Sequence, residues 1–279
     1  LNILAAICQM KVGSDKKTNL SNAQKIIQEA AKKGADMVVL PEVFNSPYQT
    51  DLFPAYAEPF GGETTKFLSE MAREHKVLLV GGSIVEKDND DKIYNTSYVF
   101  DANGNLVNKH RKVHLFDIDI PGKIKFQESE TLSAGNTIEV FKYKGIGISV
   151  MICYDGRFPE LARIAALNGA QIIIIPGAFN LTTGPLHWEL IMRSRAVDNQ
   201  VFVVAAAPSR NPDAGYQAWG HSMIVNPWGT IIAQTDEGEG IVMGEIDLDV
   251  VNKVRQEIPV LSQRRNDLYQ VNYYPKEDF

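Results

Sequence analysis

One eight-residue pattern occurs twice in this chain, and it constrains the fold more than any other feature. Gly34-Ala35-Asp36-Met37-Val38-Val39-Leu40-Pro41 lies over Gly169-Ala170-Gln171-Ile172-Ile173-Ile174-Ile175-Pro176. Each copy reads as a helix C-cap glycine, a short apolar strand and a proline that ends it. The flanks repeat as well. Before the first copy come an apolar strand, Ile3 to Cys8, and a helix with Leu20, Ala23, Ile26, Ile27, Ala30 and Ala31 on one face; before the second come the strand Gly147 to Ile152 and the helix Pro159 to Leu167. After the first copy follow a helix with Phe67, Leu68 and Met71 inward, the strand Val77 to Gly81 and a polar turn, Asp88 to Lys92. A hairpin, Tyr94 to Phe100 and Leu106 to Lys109, then crosses Asp101-Ala102-Asn103-Gly104. After the second copy follow the helix Trp188 to Val197, the strand Val201 to Ala206 and a hairpin, Ser222 to Gln234, across Asn226-Pro227-Trp228-Gly229. The order implies an internal duplication.

Continuous apolar runs such as Ile172 to Ile175 belong to strands buried on both faces, so the chain is expected to be α/β, with two β-sheets and helices outside both. With 279 residues and 44% hydrophobic content it can bury a sizeable core as one domain over 1–279, and no linker divides the halves. Residues 258–279 read as a polar C-terminal extension with Pro259 and Pro275, packed on the body or on a second subunit. Net charge is −6 with no Lys/Arg-rich block, which argues against nucleic acid as a partner. No apolar stretch reaches the roughly 20 residues that span a bilayer, and Asn2 to Cys8 lacks a basic n-region and a cleavage signature. A cytoplasmic protein without a membrane partner is expected. Two cysteines, Cys8 and Cys153, are too few for a disulfide framework or a zinc site. Any special role falls to a single thiol.

Cys153 stands where the strand Gly147 to Ile152 ends and Tyr154-Asp155-Gly156-Arg157 turns into a helix, the placement of a nucleophile elbow. A helix N-terminus lowers thiol pKa, and the Tyr154 N–H is positioned to serve an oxyanion. Cys8, inside a strand, reads as a buried structural thiol. The base is open between a histidine (His75, His110, His114, His187 or His221) and a carboxylate. Glu42 follows Pro41 at the end of a buried strand, where α/β proteins build sites, and desolvation there raises a carboxyl pKa toward neutrality; an ordinary surface Glu is the alternative. Lys112 in Lys109-His110-Arg111-Lys112-Val113-His114 is either a solvated basic turn or an ammonium that stabilises a tetrahedral intermediate.

Three separated motifs decide between these readings: Leu40-Pro41-Glu42; Arg111-Lys112-Val113-His114-Leu115-Phe116-Asp117; and Ile152-Cys153-Tyr154-Asp155 with Arg157-Phe158-Pro159-Glu160-Leu161. In this order they resemble the catalytic signatures of the nitrilase superfamily, and the likeness runs from end to end. The resemblance implies a four-layer α-β-β-α sandwich and a Glu-Lys-Cys triad. Cys153 is then the nucleophile, Glu42 the general base, and Lys112 with the Tyr154 N–H the oxyanion site. It also implies a second glutamate beside the lysine, and Glu128 in Lys125-Phe126-Gln127-Glu128-Ser129 fits that place. No cofactor or metal is implied.

Within the superfamily, the segment Pro176 to Glu189 with Arg193 to Gln200, Val113 to Ile120 and Lys123 to Glu128 look like the omega-amidase branch. That likeness implies hydrolysis of the terminal amide of 2-oxoglutaramate and 2-oxosuccinamate, through a cysteine thioester. The small-molecule substrate carries a carboxylate remote from the amide. Arg157 is the cation expected to receive it, against a structural role in a salt bridge with Glu160 or Asp155. Phe179 and Thr183 are expected to wall the pocket and add a hydroxyl. A nitrilase, a carbamoylase or a deaminated glutathione amidase remains the alternative. Trp188 and Trp219 read as packing residues, and His187 and His221 as structural hydrogen-bond partners. His110 and His114, one turn apart if helical, make no metal site alone. Gly156 departs from the family pattern and is expected to loosen the elbow or widen the pocket; the usual Gly-x-Gly lead into the cysteine is altered at Gly147 to Met151. Superfamily members commonly pair subunits across helices on one sheet face, so a homodimer or larger homo-oligomer is expected.

Overall fold

The computed structural model describes residues 2–274. The proposed C-terminal extension therefore lies partly outside the described residues, Pro275 included. In chain order the elements are β1 (Asn2–Gln9), α1 (Lys16–Lys32), β2 (Met37–Val39), α2 (Phe53–Tyr56), α3 (Glu63–His75), β3 (Leu78–Val80), β4 (Ile84–Lys87), β5 (Ile93–Phe100), β6 (Leu106–Arg111), β7 (Asp117–Ile120), β8 (Ile124–Gln127), β9 (Phe141–Tyr143), β10 (Ile146–Val150), α4 (Pro159–Leu167), β11 (Ile172–Pro176), α5 (Gly184–Asn199), β12 (Phe202–Ala206), β13 (Met223–Val225), β14 (Ile231–Gln234), β15 (Gly240–Asp247) and α6 (Leu248–Glu257). Short 3-10 turns cover Glu128–Glu130 and Cys153–Arg157.

The two sheets carry the duplication. One runs β15-β1-β2-β3-β5, with β4 and β6 both on β5; the other runs β9-β10-β11-β12-β13-β14. In each, three parallel strands (β1-β2-β3, β10-β11-β12) are flanked by an antiparallel strand on one edge and an antiparallel hairpin on the other. The correspondence reaches single hydrogen bonds. In the first hairpin turn Asp101 accepts from Asn103 N and Asn105 N; in the second Asn226 accepts from Trp228 N and Thr230 N. The glycines Gly104 and Gly229 take positive φ, 82° and 77°. The helix-ending glycines Gly34 and Gly169 share φ values of 92° and 93°, a region glycine enters without steric cost.

Alternation along the strands produces four layers. Ile172 and Ile174 face Ile3, Ile7, Met37 and Val39 of the opposite sheet, while Ile173 and Ile175 pack outward on Leu161, Ala162, Trp188 and Met192 of α4 and α5. Val38 and Leu40 pack outward on α1 and α3 through Ala23, Ile27, Leu68 and Met71. The chain is thus a four-layer α-β-β-α sandwich.

Several elements carry no strong sequence signal. β4 occupies the stretch before the Asp88 turn, and β15 covers the β1 edge over eight residue pairs. β7 and β8 form a separate two-stranded hairpin between Lys112 and Glu128. α5 begins at Gly184, one turn before the expected Trp188, because Pro185 fits a first helical turn where an N–H is dispensable. The chain after α6 returns to the body: the Tyr273 hydroxyl accepts from Ile138 N at 2.8 Å, and its ring joins the outer helical core. Among the described residues no helix is long and apolar enough to cross a membrane.

Candidate active site

The duplicated loops after β2 and β11 meet at the site. Leu40-Pro41-Glu42 and Ile175-Pro176-Gly177 leave equivalent strands, and the next residue of the second loop, Ala178, donates its N–H to Glu42 Oε2 at 2.7 Å. Glu42 is fully buried, which overturns the surface alternative. Its Oε1 accepts from Asn95 Nδ2 at 2.9 Å and from Lys112 Nζ at 3.0 Å. Lys112 is equally buried and lies between two carboxylates, with Glu128 Oε2 at 2.9 Å on the other side. The solvated basic turn is therefore wrong for Lys112. Its neighbour Arg111 does turn outward, onto Glu86 at 2.9 Å, because alternation at the end of β6 puts successive side chains on opposite faces. Burial opposes the Lys112 charge, yet Glu128 and Glu42 outweigh it and push the ammonium pKa up.

Glu128 is held by Phe116 N at 2.7 Å and by the Tyr48 hydroxyl at 2.6 Å. Tyr48 OH also lies 3.3 Å from Lys112 Nζ, which donates to it. Burial, reinforced by both glutamates and Cys153, pushes the Tyr48 phenol well above its ordinary range, so it stays a donor. Nothing in its own segment, Asn45-Ser46-Pro47-Tyr48, marks Tyr48 as part of the site.

Cys153 is buried and adopts φ 47°, a left-handed conformation costly for a residue with a Cβ, as at a nucleophile elbow. The Glu42 carboxylate lies beside the thiol and acts on its proton. Here the expectation of a lowered thiol pKa is corrected: burial and the Glu42 carboxylate push the thiol well up, and Lys112 opposes them only in part. Burial raises Glu42 too, and Glu128 adds to it. Burial in this dry site makes both Glu42 and Cys153 resist charging.

The elbow is clamped by Asp155. Its carboxylate accepts from Ile152 N at 3.1 Å, His110 Nε2 at 3.0 Å, and His114 N and Nδ1, both at 2.8 Å. His110 and His114 are not on a helix; β6 carries His110, and both rings turn onto this one carboxylate. The hydrogen bonds to the two histidines hold the Asp155 carboxyl far below the usual range against the cost of burial. The rings of His110 and His114 are thus both engaged with Asp155, whereas the carboxylate beside Cys153 is that of Glu42.

Arg157 forms no salt bridge with Asp155 or Glu160, and among the described residues no carboxylate lies within 4.0 Å of it. Its guanidinium sits 4.6 Å from the Phe179 ring centre and 5.8 Å from that of Tyr154, and Nη1 contacts His187 Nδ1 at 3.1 Å. Phe179 in turn packs edge-on against Trp188. Thr183 is buried and its hydroxyl donates to Asn180 Oδ1 at 3.2 Å. His221 stacks on Trp219, and Trp188 Nε1 donates to His221 O at 2.7 Å, as packing residues would. Gly156 does not widen the pocket: a Cβ there would meet Ile175 and Met192 at 3.5–3.8 Å, inside the helix–sheet packing. Buried Arg195 of α5 braces the elbow from behind, donating to Gly156 O at 2.8 Å and Arg157 O at 2.9 Å. A cleft of about 450 Å³ opens beside Glu42, Tyr48, Ala178 and Tyr216.

A buried thiol beside a carboxylate, with an ammonium and helix-entry N–H groups close by, can attack a carbonyl carbon and hold the resulting oxyanion. Comparisons with known proteins agree with that chemistry. Residues 4–256 match the family model described as carbon-nitrogen hydrolase. The chain is 54% identical to "Omega-amidase NIT2" of Danio rerio over 96% of both proteins, and 53% identical to "Omega-amidase NIT2" of Homo sapiens over 95% of this chain and 96% of that one. Among solved structures, Saccharomyces cerevisiae Nit3, described as a member of branch 10 of the nitrilase superfamily, superposes with a TM-score of 0.88 at 46% identity, covering 95% of this chain and 97% of that one. The C. elegans NitFhit protein gives 0.90 at 37% identity over 100% of this chain and 68% of that one. The chain belongs to the carbon-nitrogen hydrolase family of the nitrilase superfamily, and is a hydrolase acting on amide carbon–nitrogen bonds.

Proposed function

We propose that the protein is an omega-amidase that hydrolyses the terminal amide of 2-oxoglutaramate and 2-oxosuccinamate. The observation that carries the chemistry is Lys112, buried between Glu42 and Glu128, with the Glu42 carboxylate beside Cys153. As Sγ attacks the amide carbon, Glu42 takes the thiol proton, and the carbonyl oxygen becomes an oxyanion received by Lys112 and the Tyr154 N–H. The C–N bond then breaks, Glu42 delivers its proton to the nitrogen, and ammonia leaves a thioester on Cys153. Glu42 next takes a proton from water, whose oxygen attacks the thioester. The C–S bond breaks, the acid departs, and Glu42 returns the proton to sulfur. Glu128 keeps Lys112 charged and in place.

Arg157 supports the substrate assignment. A half-buried guanidinium without a carboxylate partner is costly unless an anion completes it, and the remote carboxylate of a short dicarboxylic monoamide is such an anion. Phe179 supports the guanidinium face, and Thr183, through Asn180, orders the loop that carries it. The names of the relatives point the same way. Ammonia release from 2-oxoglutaramate, a nitrile, a carbamoyl amino acid and deaminated glutathione at matched concentration tests this; faster turnover of any of the last three removes the omega-amidase assignment. Cys153→Ala is expected to abolish release, and turnover by that variant would remove the thioester route.

The proposal extends to assembly and setting. Leu186, Leu190 and Val197 of α5 and Trp228 of the adjoining hairpin are exposed together, an apolar face suited to a second copy of the chain in a homodimer or larger assembly. Sedimentation of the whole chain, and of Leu190→Glu, tests it. Residues 1–279 are proposed to act as one domain, and a cytoplasmic setting would keep the nucleophilic thiol reduced.

A further inference from the structure

We propose that His187 is the positioning residue for Arg157: a neutral imidazole whose Nδ1 lone pair accepts from the guanidinium and holds it toward the carboxylate end of the substrate. The inference rests on the omega-amidase reading above.

The donor and acceptor inventory fixes the tautomer. A guanidinium has five N–H donors, no acceptor, and does not give up its proton in proteins. The 3.1 Å contact between Arg157 Nη1 and His187 Nδ1 therefore requires a lone pair on Nδ1, and the ring hydrogen sits on Nε2. Burial and the neighbouring positive charge of Arg157 push the His187 pKa below its ordinary value, in keeping with a neutral ring.

Helix α5 thus grips Arg157 at both ends. Arg195 donates to the Arg157 carbonyl at 2.9 Å, which fixes the backbone, and His187 in the first turn of the same helix takes the side chain. The His187 N–H is bonded to Thr183 O at 2.8 Å, so the ring is anchored where the helix begins. Phe179 and Tyr154 border the guanidinium but offer no directional bond. Without His187, no hydrogen bond among the described residues orients the guanidinium, and its free N–H groups lose their aim.

The test compares wild type, His187→Leu and His187→Asn on 2-oxoglutaramate and on pentanamide, an uncharged amide of the same chain length. Asn places its Oδ1 near the position of Nδ1 and keeps an acceptor. His187→Leu is expected to raise KM for 2-oxoglutaramate about tenfold, with kcat changed less than about twofold and pentanamide turnover unaffected. His187→Asn is expected to recover most of that loss. Calorimetric binding of 2-oxoglutarate to Cys153→Ala, with and without His187→Leu, reads the same contact without turnover. An unchanged KM in His187→Leu, equal losses on both amides, or no recovery in His187→Asn overturns the proposal. A wild type that does not favour 2-oxoglutaramate over pentanamide instead overturns the substrate assignment itself, and this inference with it.

Discussion

The Asp155 carboxylate accepts the Nδ1–H of His114 at 2.8 Å, joining the strand that delivers Lys112 to the turn that presents Cys153. Through this pair, and through His110, Lys112 and Cys153 are placed by one buried charge. The group must be ionised to accept from all its donors at once, and it is.

Asp155→Asn puts an NH2 group where only acceptors fit. The expected outcome is a loss of about 3–5 kcal/mol in stability, as for other broken buried charge networks, with kcat/KM down at least about a hundredfold. Denaturant unfolding and steady-state kinetics check it. Cys153→Ala, by contrast, keeps its midpoint, since no structural hydrogen bond depends on the thiol alone.

Lys112→Met leaves Glu42 and Glu128 facing each other without the intervening cation. Stability falls, and addition of Glu128→Gln restores a large part of it by removing one of the two charges, while activity stays down about a thousandfold in both. Thermal midpoints that add independently would contradict this coupling.

Acid stability is set partly far from the reacting atoms. Glu86 accepts from Lys109, Arg111 and Thr96, and these bonds bring its pKa down to about 2 from an ordinary 4.5 despite burial. A depressed folded-state pKa means stability that is fully present above about pH 4.5 and disappears as pH falls through about 2. Asp155 acts in the same direction. Unfolding followed between pH 6 and pH 2 should show this loss, and Glu86→Gln should be less stable at pH 6 with a shallower decline; equal slopes would exclude Glu86 as a source.

Gly156→Ala adds a methyl at ordinary contact distance from Ile175 and Met192 in a residue without positive φ. Activity is expected within about twofold of wild type and stability equal or higher by about 0.5–1 kcal/mol, because alanine loses less backbone freedom on folding. A selective change in substrate preference would show that this position does shape the pocket.

Much of the architecture was legible in the chain. The repeated glycine–strand–proline pattern located β2 and β11, and the paired hairpin turns located equivalent edges of two sheets. Glu42, Lys112 and Cys153 stood at strand ends beside motifs strong enough to single them out. β4 and β15 were not legible, because edge strands lack the uniform apolar run that marks a buried one. Tyr48, Asn95 and the Ala178 N–H gave no signal either. Each is ordinary in its own segment and acquires its role only from a carboxylate contributed by a different loop.

The sequence by itself determined which stretches are buried and on which side, since a period of two along a strand and the position of a glycine or proline are local properties of the chain. Tertiary structure alone decided who meets whom. Lys112 and Glu42 are 70 residues apart and leave different strands of one sheet, His114 and Asp155 are 41 apart and come from the two different sheets, and only strand pairing and sheet packing bring them within hydrogen-bond reach. Periodicity records that a side chain leaves water; the partner that compensates its lost hydration comes from another element, and so do the raised proton affinity of the Glu42–Cys153 pair and the His187 contact that orients Arg157.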